Sequence, residues 1–363
     1  MIKRIYADNF RCLGNFEFRP GQLNLLLGEN GSGKTSLFDI IQRIKDLVVG
    51  GESASSFAYT KTIWDRRDIQ SFELDVEEAG GTYTYRLEIQ QSADVQAPPK
   101  TQIKGEYLDF EAKPLFRFTD GQVRLFDEDH SPGAQFPFKP GHSFLPNLET
   151  QNGKLQMFKA FLARVNVFQL NPFASDSFSQ HDQPYLLVSG SNFASWLRFL
   201  SEEKPRAKSE CEEHLAEVIP CFLGFRFQTA GDRKLLLVDF SREDGGSYSL
   251  PFNQLSEGHR TLSMLYAIVY GMVGSASVLC FDEPENFISL PEVQPWLQCV
   301  RDLVEERSGQ VLLVSHHPEV IDYLAADSAF RFERPSGDLA RVNEWSPDPD
   351  KIMKPSEILA RGG

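Results

Sequence analysis

The feature that most constrains the fold is a short glycine-rich segment between an apolar run and an amphipathic one. Residues 28–35 read GENGSGKT and follow the apolar run LNLLL. The next residues are apolar at positions 37, 40, 41, 44, 47 and 48, the spacing of one helix face, before Gly50 and Gly51. The pattern G-x-x-x-x-G-K-[ST] between a strand and a helix predicts a loop whose backbone N–H groups cradle phosphate groups.

The chemistry of this loop follows from its residue types. Lys34 would place a positive charge between the β- and γ-phosphates of a nucleotide, and the Thr35 hydroxyl would ligate Mg²⁺. The start of the following helix adds a favourable potential for an anion. The residues expected to contact ATP are Asn30, Gly31, Ser32, Gly33, Lys34, Thr35 and Ser36.

Two adjacent carboxylates follow a second apolar run. In SVLCFDEPEN, residues 277–286, the run delivers Asp282 and Glu283 at the end of a buried strand. Asp282 is expected to hold Mg²⁺ through water, and Glu283 to polarise the attacking water. Glu285 could compete for the role of base. The alternative interpretation of the whole segment is an exposed acidic turn at Pro284.

Two further segments combine an apolar run with polar residues at one end. In LSEGHRTLSML, Ser256 and Gly258 lie where a helix begins, which suits either an anion site or simple capping by the serine. In VLLVSHHPEV, His316 follows a strand and could donate to a γ-phosphate. The alternative is a surface histidine pair before a helix that starts near Pro318. Neighbouring residues at a strand end point in opposite directions, which disfavours a metal site.

The rest of the chain alternates short strands and helices. Two alternating runs flank Gly80-Gly81 and predict a hairpin, and residues 91–156 suggest a β-rich lobe. Residues 192–219 look helical, and the last third alternates helix and strand. The expected segments are 1–90 (N-terminal ATPase part), 91–160 (β-rich insert), 161–250 (helical and β lobe), 251–345 (C-terminal ATPase part) and 346–363 (tail).

Composition limits the classes of partner. The net charge is −14, which argues against indiscriminate binding to nucleic acid. The local basic clusters are Lys61, Arg66 and Arg67, and Lys204, Arg206 and Lys208, which also read as solvated faces with neighbouring acids. The chain has no run of eighteen apolar residues and no apolar leader, and its five cysteines form no CxxC pair. We therefore expect a cytoplasmic protein without a membrane span or structural zinc.

The order of the motifs resembles that of the ATP-binding-cassette ATPases, and more narrowly their RecF/SMC-type branch. That branch includes compact AAA family ATPases and the ATPase part of OLD-family nucleases. The resemblance rests on the opening IKRIYADNFRCLGNFEF, on LLLGENGSGKTSL, and on LSEGHRTLSML with DEPEN. It implies an α/β fold: an ABC-type ATPase head with a mixed, mainly parallel sheet around the phosphate loop, a β-rich N-terminal lobe and a helical insert.

The resemblance also implies roles for single residues. Ser256 and Gly258 would contact the γ-phosphate held by a second protomer, so that ATP joins a homodimer, and His316 would be the switch histidine. Gln169, in VFQLNP, would touch Mg²⁺ and the attacking water, unless it only ends a strand. Arg11 would lie near the nucleotide, unless it is a solvated arginine.

The sequence departs from its relatives in ways that bear on function. Ile288-Ser289-Leu290-Pro291 lacks the histidine often found there in this branch, and the middle of the chain has neither heptads nor a Toprim nuclease pattern. We therefore expect an ATPase that gates a separate effector, in bacterial anti-phage defence. The alternatives are a RecF-like DNA-repair ATPase that binds DNA directly and a scaffold that binds ATP without hydrolysis. A transporter ATPase is disfavoured by the absence of LSGGQ.

Overall fold

The computed structural model describes residues 1–92, 99–148, 152–273, 277–347 and 353–361. The chain divides into two units. Unit 1 comprises Met1–Asn166, Ala276–Val278 and Ser328–Trp345, and unit 2 comprises Val167–Ser275, Leu279–Asp327 and Ser346–Gly363. The five segments expected from the sequence stay a prediction.

The strands are β1 Ile2–Asp8, β2 Phe16–Phe18, β3 Leu23–Leu27, β4 Ile69–Glu78, β5 Gly81–Ser92, β6 Lys100–Phe110, β7 Lys113–Thr119, β8 Gln122–Phe126, β9 Pro132–Pro137, β10 Val165–Phe168, β11 Phe178–Ser179, β12 Phe222–Ala230, β13 Arg233–Ser241, β14 Ser247–Pro251, β15 Val278–Asp282, β16 Gln310–Val314, β17 Ala329–Glu333 and β18 Arg341–Trp345. The α-helices are α1 Lys34–Lys45, α2 Gly153–Ala163, α3 Phe193–Glu203, α4 Pro205–Val218, α5 Glu257–Met272, α6 Leu290–Arg307, α7 Pro318–Ser328 and α8 Pro355–Ala360.

An eight-stranded sheet dominates unit 1, in the order β2-β1-β4-β5-β6-β7-β8-β9. Its strands alternate buried and exposed residues, as a sheet with one face on a core requires. The predicted hairpin is confirmed, but its two turn residues are Ala79 and Gly80, since Gly81 already pairs with Glu78. The strands expected within residues 91–156 are present as β6 to β9, which continue the same sheet, and their separation as a lobe stays a prediction.

A second group of strands in unit 1 carries the glycine-rich segment. β3 lies parallel to β17, and β17 pairs with β18 in antiparallel fashion. β3 is buried from Asn24 to Leu27, and α1 follows it with Leu37, Phe38, Ile40, Ile41 and Ile44 buried. α1 continues into a π-helical turn, Asp46–Gly50, which Gly51 ends with a φ of 73°. The helix predicted through residue 48 is thus present, as an α-helix that continues into a π-helical turn.

Unit 2 places Asp282, Glu283 and His316 at the ends of fully buried strands. β10, β15 and β16 are neighbours in that order, and every residue of β15 and β16 is buried. The predicted helices at 192–219 are α3 and α4, separated at Lys204, and the strands β12, β13 and β14 follow them. The central helix α5 is buried from Arg260 to Gly271. Among the described helices, none is both long and apolar enough to cross a bilayer.

Candidate functional site

The glycine-rich loop of unit 1 depends on backbone conformations that glycine adopts freely. Gly28 has a φ of 138°, and Gly31 and Gly33 have φ values of 80° and 110°. A Cβ on Gly28 would lie 2.2 Å from the carbonyl oxygen of Phe332 in β17, which no side chain can tolerate. The loop therefore approaches the neighbouring strand at a distance that only glycine permits.

Two polar side chains of the loop, Ser32 and Lys34, are buried. Lys34 opens α1 and is buried, and its Nζ donates to the carbonyl oxygens of Gly28 at 2.6 Å and Glu29 at 3.0 Å. The buried Ser32 Oγ has no hydrogen-bond partner among the described residues. A buried hydroxyl without a partner is costly, so a ligand oxygen would relieve that cost. Asn30, Gly31 and Thr35 are exposed at the loop, and Ser36 is buried behind it.

The segment around Arg11 lies against the helix that follows the loop. Arg11 Nη2 is 2.7 Å from Oδ2 of Asp39, a residue of α1 that also pairs with Arg43. A Cβ atom on Gly33, just before α1, would lie 3.2 Å from Cys12 Sγ and 3.0 Å from Leu13 Cδ2, so the segment that contains Arg11 packs closely against the loop. The structure thus places Arg11 beside α1, bound to a carboxylate. Its contact with a nucleotide stays a prediction.

The two predicted carboxylates of unit 2 differ sharply in accessibility. Asp282 ends β15 and is buried, whereas the side chain of Glu283 is 40% exposed. Glu283 has a φ of 49°, in the left-handed region, and its N–H donates to the carbonyl of Val314 at 2.9 Å. A non-glycine residue in this region is uncommon and often marks a functional site.

Glu283 has two polar neighbours. His316 Nε2 lies 3.8 Å from Glu283 Oε1, and Asn286 Nδ2 donates to Glu283 Oε2 at 3.1 Å. His316 is exposed and follows β16, as predicted. Glu283 and His316 are therefore brought together, although the sequence separates them widely. The structure adds Asn286, three residues after Glu283, which the sequence analysis did not single out.

Glu285 points into the protein. Its Oε1 accepts a hydrogen bond from Ser315 Oγ at 2.5 Å, and the side chain is almost fully buried. Burial raises the pKa of Glu285, while hydrogen bonds from Ser315 and from backbone N–H groups oppose that rise. Glu285 is thus less accessible to water than Glu283. Its contact with Ser315 was also missed by the sequence analysis.

The helix start predicted at Ser256 is present and capped. Ser256 is the N-cap of α5, and its exposed Oγ accepts from the N–H of His259 at 3.2 Å. A Cβ on Gly258 would lie 2.7 Å from the carbonyl oxygen of Phe287, so this glycine is needed for packing within the chain. Capping by Ser256 is confirmed, and contact with a partner's nucleotide stays a prediction.

The remaining predicted residue, Gln169, is exposed immediately after β10. Its N–H donates to the carbonyl of Val188 at 2.9 Å. Its role toward Mg²⁺ stays a prediction. Within the described residues no group of three or more His, Cys, Asp or Glu side chains could hold a metal by itself. This is compatible with Mg²⁺, which usually binds through one or two protein oxygens together with phosphate and water.

Acidic neighbours neutralise most of the basic clusters. In the first cluster, Lys61 pairs with Asp68 at 3.1 Å, and Arg67 pairs with Asp8 and Asp65. In the second, Arg206 and Lys208 each form an ion pair one helical turn along α4, with Glu210 and Glu212. Lys204 donates to the carbonyl of Gly271 at 2.8 Å. Such pairing leaves little free positive charge for phosphates at these positions.

Known proteins resemble the chain in sequence and in fold. A family model described as "AAA domain, putative AbiEii toxin, Type IV TA system" matches residues 23–322. Protein ea59 of Escherichia phage lambda is 29% identical over 68 residues, which are 19% of this chain and 13% of the length of that protein.

Two solved structures resemble nearly the whole chain. One is the SmcHead bound to the C-winged helix domain of ScpA, with a TM-score of 0.59 and 12% identity over 96% of this chain and 98% of that chain. The other is the Smc head domain with an extended coiled coil bound to the C-terminal domain of ScpA, derived from Pyrococcus furiosus. Its TM-score is 0.56, with 11% identity over 95% of this chain and 96% of that chain. At this level of identity the likeness shows the fold.

The predicted α/β fold and the predicted resemblance to SMC-type ATPases are both confirmed. The family match extends over most of the sequence and includes both the glycine-rich loop and the strands that carry Asp282 and His316. The chain therefore belongs to the AAA family described as "AAA domain, putative AbiEii toxin, Type IV TA system", and it has the SMC head ATPase fold.

Proposed function

We propose that this protein binds ATP with Mg²⁺ and hydrolyses it. The observation that carries the proposal is the geometry of the loop of residues 28–35. Only glycine fits at position 28, and Lys34 Nζ donates to the carbonyl oxygen of Gly28. The unpartnered Ser32 Oγ supports a ligand with oxygen atoms at the same place. A nucleotide phosphate fits this donor set, since the loop offers backbone N–H groups, a lysine and the start of a helix.

Each predicted residue has a role in this proposal. Lys34 binds the phosphates, and Thr35 and Asp282 hold Mg²⁺, with Gln169 as a further contact. Bound Mg²⁺ would neutralise negative charge on the phosphate oxygens. Glu283 accepts a proton from the attacking water, for which its exposure suits it.

His316 and Arg11 complete the assignment. His316 lies close enough to Glu283 to orient it or to share a proton with it. This pair favours hydrolysis over a scaffold that only binds ATP, because a scaffold has no need of an exposed carboxylate held beside a histidine. Arg11 contacts the nucleotide from its position beside α1, where Asp39 of that helix orients it.

We further propose that ATP joins two copies of the chain through the start of α5. Ser256 and Gly258 would approach the γ-phosphate bound by the second copy, in line with the preference of helix N-termini for anions. Exposed aromatic residues flank this helix start: Phe173 and Phe287 pack edge to face with ring centroids 5.6 Å apart. A second copy docked at the start of α5 would cover these two exposed rings.

The biological role that we propose is control of a separate effector protein in anti-phage defence. The family description names a toxin system, and the two SMC heads are bound to domains of another protein, ScpA. Direct DNA binding, as in a repair ATPase, has less support because acidic neighbours pair with most of the candidate basic residues. This proposed role places the protein in the cytoplasm.

Phosphate release from ATP tests the central proposal. The wild-type protein is expected to release phosphate in the presence of Mg²⁺, and Lys34→Ala is expected to abolish both release and ATP binding. Lys104→Ala is the matched control, because Lys104 is half exposed and forms a long ion pair of 3.7 Å with Asp120. Equal turnover in the wild type and in Lys34→Ala would show that the loop is not the nucleotide site.

The dimer is tested separately. Glu283→Gln should accumulate an ATP-bound dimer on size exclusion with light scattering, because hydrolysis no longer releases the two copies. A monomer at all ATP concentrations would overturn the dimer proposal and leave the ATPase proposal standing.

A further inference from the structure

The turn after β15 and the turn after β16 are tied together by a buried pair. We propose that this pair, Glu285 and Ser315, holds Glu283 and His316 in place, so that Glu285 is a positioning residue and not a base. The inference rests on the proposed hydrolysis of ATP, because it assigns a task to a residue beside the proposed base. It also decides between the two carboxylates that the sequence left in competition.

The tie consists of a short chain of hydrogen bonds. Ser315 Oγ donates to Glu285 Oε1 at 2.5 Å and accepts from the N–H of His317 at 3.0 Å. Ser315 is fully buried, and Glu285 is 7% exposed. A hydrogen bond to a carboxylate in such surroundings is strong and directional. The pair therefore fixes the backbone on both sides of His316.

The two ends of the tie flank the groups that the proposed reaction uses. Glu283 comes two residues before Glu285, and His316 comes directly after Ser315. Glu283 is in the left-handed region, with a φ of 49°, a conformation that persists only where the surroundings hold it. The N–H of Glu283 is held on Val314, and Glu285 anchors the other side of the same turn. The 3.8 Å separation of Glu283 and His316 depends on both anchors.

Accessibility distinguishes the two carboxylates chemically. A base must reach the water that it deprotonates, directly or through one further water. The side chain of Glu283 is 40% exposed, whereas Glu285 is enclosed and already hydrogen-bonded to Ser315. Glu285 can act on the reaction only through the backbone and side chains that it holds.

Conservative and non-conservative variants separate the two roles. Glu285→Gln keeps an oxygen that accepts from Ser315, so kcat is expected to stay within about threefold of the wild type. Glu285→Ala and Ser315→Ala lose the tie, and each is expected to lower kcat about tenfold or more while KM for ATP stays within about twofold, because small displacements of reacting groups are costly. The double alanine variant should be no slower than the slower single variant, because both changes remove one interaction.

Two results would overturn the inference. If Glu285→Gln loses as much activity as Glu285→Ala, Glu285 acts as a base. If Ser315→Ala and Glu285→Ala both keep the wild-type kcat, the pair has no positioning role. If Glu285→Ala fails to fold, Ser315→Ala and Glu285→Gln carry the same comparison.

Amide hydrogen exchange gives a readout that does not depend on turnover. In Ser315→Ala the exchange rates at His316 and His317 should rise about tenfold or more, because local opening becomes easier. The matched control is Ser201→Ala, which removes a hydroxyl that donates to the carbonyl of Leu197 within α3. Unchanged exchange at His316 and His317 would overturn the inference. If the wild type fails to hydrolyse ATP while exchange rises as expected, the proposed function fails and the tie stands.

Discussion

His316 Nε2 lies 3.8 Å from Oε1 of Glu283, at the ends of two neighbouring and fully buried strands. Neither side chain is buried, so both remain open to a ligand while their backbones are held by the core. Asn286 supports the arrangement by donating to the other carboxylate oxygen of Glu283 at 3.1 Å. An exposed pair on a rigid base is suited to act on a bound substrate.

Removal of the charge on Glu283 should slow hydrolysis without preventing ATP binding. For Glu283→Gln we expect kcat to fall about 100-fold or more, the usual contribution of a general base. Phosphate release and ATP binding by calorimetry measure the two effects. Glu305→Gln, an exposed position on α6, is the control. A kcat close to that of the wild type would exclude Glu283 as the base.

Substitution of Gly28 should damage the loop by a steric route. In Gly28→Ala the new Cβ would meet the carbonyl oxygen of Phe332 at 2.2 Å and would require a φ of 138°. We expect a loss of about 3 kcal/mol or more in unfolding free energy, together with loss of ATP binding. Gly141→Ala, where a Cβ meets open space, should change stability by less than about 0.5 kcal/mol. Equal Tm values for the two variants would contradict the loop geometry.

Ser256 offers a way to separate capping from ligand binding. Ser256→Asp keeps an oxygen that caps α5, so the free energy of unfolding should stay within about 0.5 kcal/mol of the wild type, whereas Ser256→Ala should lose about 1 kcal/mol. The added negative charge should nevertheless abolish ATP-dependent dimerisation by repelling the partner's γ-phosphate. Thermal unfolding and light scattering provide the two measurements. A Ser256→Asp variant that dimerises normally would mean that the serine only caps.

A buried carboxyl in the large sheet should make stability depend on pH. Burial raises the pKa of Glu106 to about 7, although the hydroxyls of Ser143 and Tyr85 donate to it at 2.7 Å and 2.8 Å and oppose the rise. The folded-state pKa therefore lies above the unfolded value, and the folded state holds the proton longer as pH rises. The stabilisation by protonated Glu106 is complete below about pH 4, falls as pH rises toward 7, and is absent above that range.

Glu106→Gln removes this titration. Relative to that variant, the wild type should lose on the order of 2–3 kcal/mol of unfolding free energy between pH 4.5 and 7.5, as measured by urea unfolding. Glu305→Gln should follow the pH dependence of the wild type. If the difference between the wild type and Glu106→Gln is constant with pH, Glu106 is ionised in the folded protein throughout this range.

Local stereochemistry explains why much of the site could be predicted. The loop of residues 28–35 is continuous in the chain, and its strand, glycines, lysine and helix follow from the sequence pattern alone. The same is true of the cap at Ser256, which bonds to His259 three residues later. The hairpin of β4 and β5 also follows from adjacent alternating runs, although its turn residues are Ala79 and Gly80 and not the predicted Gly80 and Gly81.

Tertiary contacts decided the rest. The sequence left Glu283 and Glu285 as competing bases. In the folded protein Glu285 is buried and accepts a hydrogen bond from Ser315, 30 residues away, whereas Glu283 remains exposed. Similarly, Arg67 reads as part of a basic cluster until the fold brings Asp8 to it. Only the fold shows that a Cβ on Gly258 would meet the carbonyl oxygen of Phe287, whereas the contact of Gly258 with a partner's nucleotide stays a prediction.

The sequence by itself therefore determined the fold class, the glycine-rich loop and the strands that carry the polar residues, because each depends on conformational preferences within a few neighbouring residues. Only the tertiary structure decided which carboxylate is accessible, which basic residues are paired and which glycine is sterically required. Those properties depend on groups far apart in the chain that meet when the core packs, and no local pattern specifies them.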